Sequence, residues 1–292
     1  MAYAHVNGVD IWYDEYGEGD KYVVCASGGD FKHADFSRWP YYMADYGYHL
    51  ITMTLRGHWK STHVTEDYGK EWYNIYADDV YEAARQIIGD DRKFIYMGLS
   101  HGSGVGWHLV TRHPEAVSCF VAIVCGPHYL NGDLNEKQTS FARERTIQAA
   151  DDPVLKEQIM KEWEPDWSRI PPERLEEEKA MYQQRCQDWM EMTPEEMRVR
   201  PRIAFAWIDT EEELVEKLKT VQVPMLMLAA GQDSIVNPKA MFRSAMAVPN
   251  AKTIFYQNAQ HGFAMGKDAL AEDAKEEILL FLKQQERLGN IR

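Results

Sequence analysis

"KFIYMGLSHGSG", residues 93–104, decides how the chain is read. Its first half is apolar and β-favouring, which predicts a buried strand. Its second half sets one serine, Ser100, between Gly98 and Gly102, with His101 touching it. Directly behind comes "GVGWHLVTRHP", an amphipathic run that predicts a helix. A serine on a sharp strand-to-helix turn holds a strained backbone, and its neighbours must be small for the turn to close. The turn lifts the hydroxyl clear of the sheet, at the positive end of the helix. G-x-S-x-G is short and occurs often by chance, so the strand before it and the helix after it give it weight.

Outward from this stretch the same alternation repeats. "YVVCASGG", "YHLITMTLRG", "VSCFVAIVCG", "VPMLMLAAG" and "AKTIFYQNA" read as buried strands. Helical patterns fall between them in "FSRWPYYMADYG", in "WYNIYADDVYEAARQIIGDD", in "PKAMFRSAMAVPN" and in the closing "DALAEDAKEEILLFLKQQERL". In the second of these, Tyr76, Val80, Ala83, Ala84 and Ile87 share one face, and Gly89 ends the helix. "AYAHVNG" and "DIWYDEYGEGD" predict a hairpin turned near Asn7-Gly8. Strand and helix in alternation mean crossover units, so the fold class is α/β, with a mostly parallel central sheet flanked by helices.

From 127 to 221 the strands stop and Glu, Gln, Met and Trp take over with helical spacing. Leu155, Ile159 and Trp163 fall on one face, as do Leu214 and Leu218, and prolines break the stretch into pieces. The strand pattern resumes afterwards. Residues 127–221 are therefore expected to be a helical insertion after the sixth strand, with 1–126 and 222–292 forming the core.

A serine hydroxyl is a weak nucleophile without a base, and the base needs a carboxylate to orient it. Asp233 stands just past the strand "VPMLMLAAG", and His261 just past "AKTIFYQNA". Strand carboxyl ends share one edge of a parallel sheet, so Ser100, Asp233 and His261 are expected to converge there. Their order along the chain, serine, acid, histidine, is that of α/β-hydrolases. The position after the preceding strand, "VCGPHYLNGD", has no carboxylate before Asp133, which favours Asp233 as the acid.

With these residues in view the chain resembles a capped, esterase- or lactonase-like α/β-hydrolase over almost its whole length. "LRGHWKS" looks like that family's L-R-G-H-G-x-S segment. "YVVCASGGD" aligns with the strand whose His-Gly-X end supplies an oxyanion-hole amide. Ser27 replaces the usual histidine, Gly28 matches the glycine, and Gly29 takes the donor position. The resemblance implies a hole made by the backbone N–H groups of Gly29 and His101. Asp30 beside it would oppose an oxyanion if it faced the pocket, so it is expected to point away or to meet a cationic or hydroxyl group of the substrate. The resemblance further implies that the insertion is a cap over the site, with Trp163, Trp189 and Met190 as candidate substrate contacts. Residue by residue, packing is the simpler reading of these three. Arg56 and His58 are expected to serve structure near the site. The His101 side chain is expected to pack, since adjacent residues align poorly for proton transfer. Serine at the elbow argues against dehalogenase and epoxide hydrolase chemistry, which need aspartate there. Ester or lactone hydrolysis is expected. Amide or carbon–carbon cleavage with the same triad, and a slow hydrolase-derived receptor, are the alternatives.

Bulk properties fit this reading. At 292 residues, 45% hydrophobic and 27% charged, the chain suits one large domain. A net charge of −14 disfavours nucleic acid or an anionic membrane as partner. The expected partner is a small-molecule substrate, with a homodimer as the assembly to test. The N-terminal stretch has no signal-peptide pattern and no run reaches membrane-spanning length, so a cytoplasmic protein is expected. Cys25, Cys119, Cys125 and Cys186 have neither CxxC partners nor histidines at metal spacing, and are expected to be reduced thiols. His108, His113 and His128 show no paired acid or metal spacing in the sequence. No HExxH, Walker or dinucleotide loop occurs, and neither metal nor cofactor is expected.

Overall fold

The computed structural model of the chain describes residues 2–26, 39–124, 126–130, 144–170, 172, 175–199, 203–266 and 268–292. Eight strands form one sheet in the order β1-β2-β4-β3-β5-β6-β7-β8. Strand β1 (Ala2–Val6) turns through Asn7 and Gly8, both at positive φ, into β2 (Val9–Tyr16), and the pair is antiparallel. That is the geometry a two-residue hairpin selects. β2 also runs antiparallel to β4 (His49–Met53). Strands β3 (Tyr22–Ala26), β5 (Phe94–Leu99), β6 (Val117–Ile123), β7 (Met225–Ala230) and β8 (Ala251–Tyr256) continue the sheet in parallel from β4.

Every residue of β5, β6 and β7 is buried, because helices cover both faces. Alternate residues go to opposite layers. Val24, Tyr96 and Phe120 meet helices α2 (Trp72–Ile88) and α3 (His101–Arg112) on one face. Val23, Met97 and Val121 meet α1 (Tyr42–Asp45) and the last helix, Ala269–Arg287, on the other. The expected face of α2 is the buried one, with Tyr76, Val80, Ala83 and Ala84 inside.

Between β6 and β7 the described residues hold helices and no strand. Helices α4 (Pro153–Glu162), α5 (Leu175–Glu191) and α6 (Pro194–Arg198) enclose a small core of Ala149, Ile159, Trp189, Met192 and Met197. Helix α7 (Glu211–Lys219) behaves differently. Its Leu214 and Leu218 join the main core beside Val221, Val223 and Phe205. Then follow α8 (Pro238–Ala247), β8 and α9 (Ala269–Arg287). Among the described residues no helix is long and apolar enough to cross a membrane.

Candidate active site

The site begins with the backbone of Ser100. It sits between β5 and α3 at φ 52°, ψ −115°, a left-handed conformation that costs a side-chain-bearing residue energy. The surroundings enforce it. A Cβ on Gly98 would lie 2.5 Å from the carbonyl of Gly102, and one on Gly102 would lie 3.0 Å from the oxygen of Ala26. Only hydrogen fits at Gly98, and at Gly102 the end of β3 would have to give way. The Ser100 N–H donates to Ile123 O at 2.9 Å, which ties the turn to β6. Two further hydroxyls brace it. Buried Ser103 donates to Gly98 O at 2.6 Å and accepts the N–H of Ile123 at 3.0 Å. Tyr96, also buried, donates to Gly102 O at 2.9 Å. Neither brace carries a sequence signal, because each partner is fixed only by the close packing of α3 on β5 and β6.

Asp233 and His261 arrive on the loops after β7 and β8, at the same sheet edge as Ser100. The loops are laced together, with Gly231 N–H donating to Tyr256 O and Gln232 N–H to Ala259 O, both at 2.9 Å. Asp233 Oδ1 accepts the N–H groups of Ile235 and Val236, each at 2.8 Å, which fixes the carboxylate. Its oxygens stand 2.8 and 3.0 Å from Nδ1 of His261, and Nε2 of the same ring lies 2.8 Å from Ser100 Oγ. A carboxylate can only accept, so Nδ1 carries the ring proton and Nε2 is left to accept from the serine hydroxyl. The Asp233 side chain is 3% exposed and that of His261 16%. The acid is shielded, while the base borders solvent. The three residues picked from the sequence thus lie in one hydrogen-bonded line.

His101 opens α3, which sets its N–H at the helix start directly beside Ser100. Its ring packs 5.2 Å from Tyr73, 5.4 Å from Tyr76 and 6.1 Å from His58, as expected of a packing side chain. Ser27, Gly28, Gly29, Asp30, Cys125 and Asp133 lie outside the described residues. Arg56 is buried and forks onto Asp79 of α2, with both N–O distances 2.6 Å. One sequence expectation is corrected. His113 does have an acid partner, with Nε2 2.8 Å from Asp78 Oδ1, and its ring stacks on Tyr81 at 3.8 Å. The partner sits on α2, far back in the chain, where sequence spacing gives no hint of it. Burial drives the thiols of Cys25 and Cys119 well above their ordinary pKa, so both are inert apolar fillers. Among the described residues no group of three His, Cys, Asp or Glu side chains could hold a metal ion.

Of the three candidate substrate contacts between β6 and β7, Trp189 is buried, its indole N–H donating to Lys156 O at 2.9 Å. Trp163 packs edge-on against it at 5.0 Å and carries the guanidinium of Arg185 over its ring at 4.2 Å. Met190 is 41% exposed. The structure brings the two tryptophans together with one another in the helical stretch between β6 and β7, with Trp163 packed against the small core that holds Trp189.

A family model described as serine aminopeptidase, S33, matches residues 17–268. The chain belongs to this family of α/β-hydrolases. It is a hydrolase by that membership. A search of curated proteins finds no match to the chain. Solved structures share the hydrolase's fold. An enol-lactonase from Burkholderia xenovorans LB400 aligns with TM-score 0.69 and 16% identity over 96% of this chain and 99% of its own. An esterase from Exiguobacterium antarcticum gives 0.71 and 17% over 97% and 99%. A bromoperoxidase from Bacillus anthracis gives 0.69 and 20% over 97% and 99%.

Proposed function

We propose that the chain is a serine hydrolase that cleaves a carboxylic ester or lactone of a small, moderately apolar substrate through an acyl-enzyme. The observation that carries this is the unbroken line from Asp233 through His261 to Ser100 Oγ. In the first step His261 Nε2 takes the Ser100 proton as Oγ attacks the carbonyl carbon. Asp233 holds the ring and offsets the imidazolium charge that develops. The tetrahedral oxyanion is received by the amides of His101 and Gly29, and each such donor contributes about 3–4 kcal/mol at the transition state. His261 then protonates the departing alkoxide. A water, deprotonated by the same ring, releases the acid and restores Ser100.

Residues 127–221 are read as the cap. Trp163 and Met190 are its candidate apolar contacts, and Trp189 supports them from the insertion's core. The esterase and the lactonase among the structural relatives support this substrate class. A second reading, amide cleavage beside a free amino group, is favoured by the family's description as a serine aminopeptidase.

The two readings separate on a panel of p-nitrophenyl esters, lactones of several ring sizes and aminoacyl p-nitroanilides. Turnover of esters or lactones, abolished in Ser100→Ala, is the expected result. Turnover confined to the anilides would replace the ester reading with the amide one.

A further inference from the structure

The helical insertion joins the core at two roots, and one arginine touches both. The first root, Pro127 to Leu130, follows β6, and the second enters α7 at Glu211. Arg243 projects from the middle of α8, its side chain only 7% exposed. Its guanidinium donates to Glu211 Oε2 at 3.1 Å, to His128 O at 3.0 Å and to Pro127 O. Glu211 is equally buried, and its other oxygen accepts the N–H of Leu130. Both ends of the insertion are therefore gathered onto a single buried ion pair. The approach is close. A Cβ on Gly126 would lie 2.9 Å from Ala240 O and 3.0 Å from Ser244 Oγ, both on α8.

The same helix continues the acid loop. Asp233 accepts the N–H groups of Ile235 and Val236, Asn237 caps the N–H of Lys239, and Pro238 opens α8. A forked guanidinium whose acceptors lie on separate segments fixes their relative geometry, which an exposed ion pair does not. The insertion also touches α3, where Phe205 N–H donates to His108 Nε2 at 2.8 Å, a contact made by residues of neither root.

We infer that Arg243 is a positioning residue: by gripping both roots of the insertion, it sets how the insertion stands over Ser100 and so which acyl chain lengths the site accepts. The inference rests on the proposed reading of Ser100 as the nucleophile and of residues 127–221 as the cap over it. It does not require Arg243 to touch substrate.

The test compares the wild type with Arg243→Lys, Glu211→Gln and the double variant Arg243→Met/Glu211→Leu. The lysine keeps the charge but loses the fork; the glutamine keeps the shape but loses the charge. The double variant leaves no buried charge unpaired and removes side-chain partners only from backbone groups of Pro127, His128 and Leu130, so it is the milder change should a single one unfold the protein. Melting curves on each sample establish that it is folded. KM for p-nitrophenyl octanoate is expected to rise about tenfold, with less than about twofold change for p-nitrophenyl acetate and in kcat. Fluorophosphonate labelling of Ser100 should keep its rate, and trypsin should cut within 127–221 faster. A KM shift equal for both esters, or no shift at all in folded variants, overturns the inference. A wild type that takes no label sinks the nucleophile instead, and the trypsin rates then decide the clamp alone.

Discussion

At the residue scale the site depends on two nitrogens of one ring. His261 reaches Ser100 with Nε2 only because Asp233 holds Nδ1. His261→Ala should lower kcat by about 10⁴- to 10⁶-fold, as loss of a general base does in such triads. Asp233→Asn should cost about 10⁴-fold, because an amide at that position can select the wrong tautomer. Steady-state kinetics on p-nitrophenyl butyrate reads both, and a loss under tenfold in either would mean that the residue is not part of the triad. His108 makes a different prediction. It is fully buried, with Nδ1 2.9 Å from Asn74 Oδ1 and Nε2 accepting the N–H of Phe205, so it is neutral in the fold. Burial, aided by the positive charges of Arg112 and Lys217, lowers its pKa from 6.5 to about 3. Below pH 6.5 the unfolded chain takes up a proton that the folded one refuses. The stability this residue contributes is whole above that pH and falls on acidification, by up to about 1.4 kcal/mol per pH unit. In urea titrations from pH 7 to 4.5, the stability difference between wild type and His108→Gln should shrink as pH falls. A constant difference would rule His108 out as the acid-sensitive group.

At the scale of elements, the strand, turn and helix around Ser100 are legible in the sequence, because small-residue spacing and apolar runs are local signals. The turn is also the least forgiving element. Gly98→Ala would push a methyl to within 2.5 Å of the Gly102 backbone, so the turn must open and move Oγ away from His261. A shift of about 1 Å is enough to cost roughly 10²-fold in rate. Esterase assays and a melting curve on Gly98→Ala check this, and activity within twofold of wild type would mean that the turn can relax. What the sequence did not disclose are the partners that helices choose. The Leu214 and Leu218 spacing marks an apolar face but does not say that it packs on the sheet core. Likewise, Arg56 in "LRGHWKS" reads as a family motif residue, while its ion pair with Asp79 depends on how α2 lies across the sheet. Hydrophobic period tells how much surface an element must hide, and tertiary contact decides against what.

At the scale of the whole molecule, alternating strands and helices foretold a mostly parallel sheet, and the reversal that sets β4 between β2 and β3 was not readable from the pattern. Relatives at 16–20% identity keep the same architecture over nearly the full chain, so many sequences satisfy the packing. A narrower condition falls on the sheet's carboxyl edge, where loops after β5, β7 and β8 must deliver three side chains to one point. Peptide mapping after reaction with a fluorophosphonate tests that convergence most directly. The added mass should sit on Ser100, with slowed labelling in His261→Ala and none in Ser100→Ala. Label on another residue, or full ester turnover by Ser100→Ala, would contradict it.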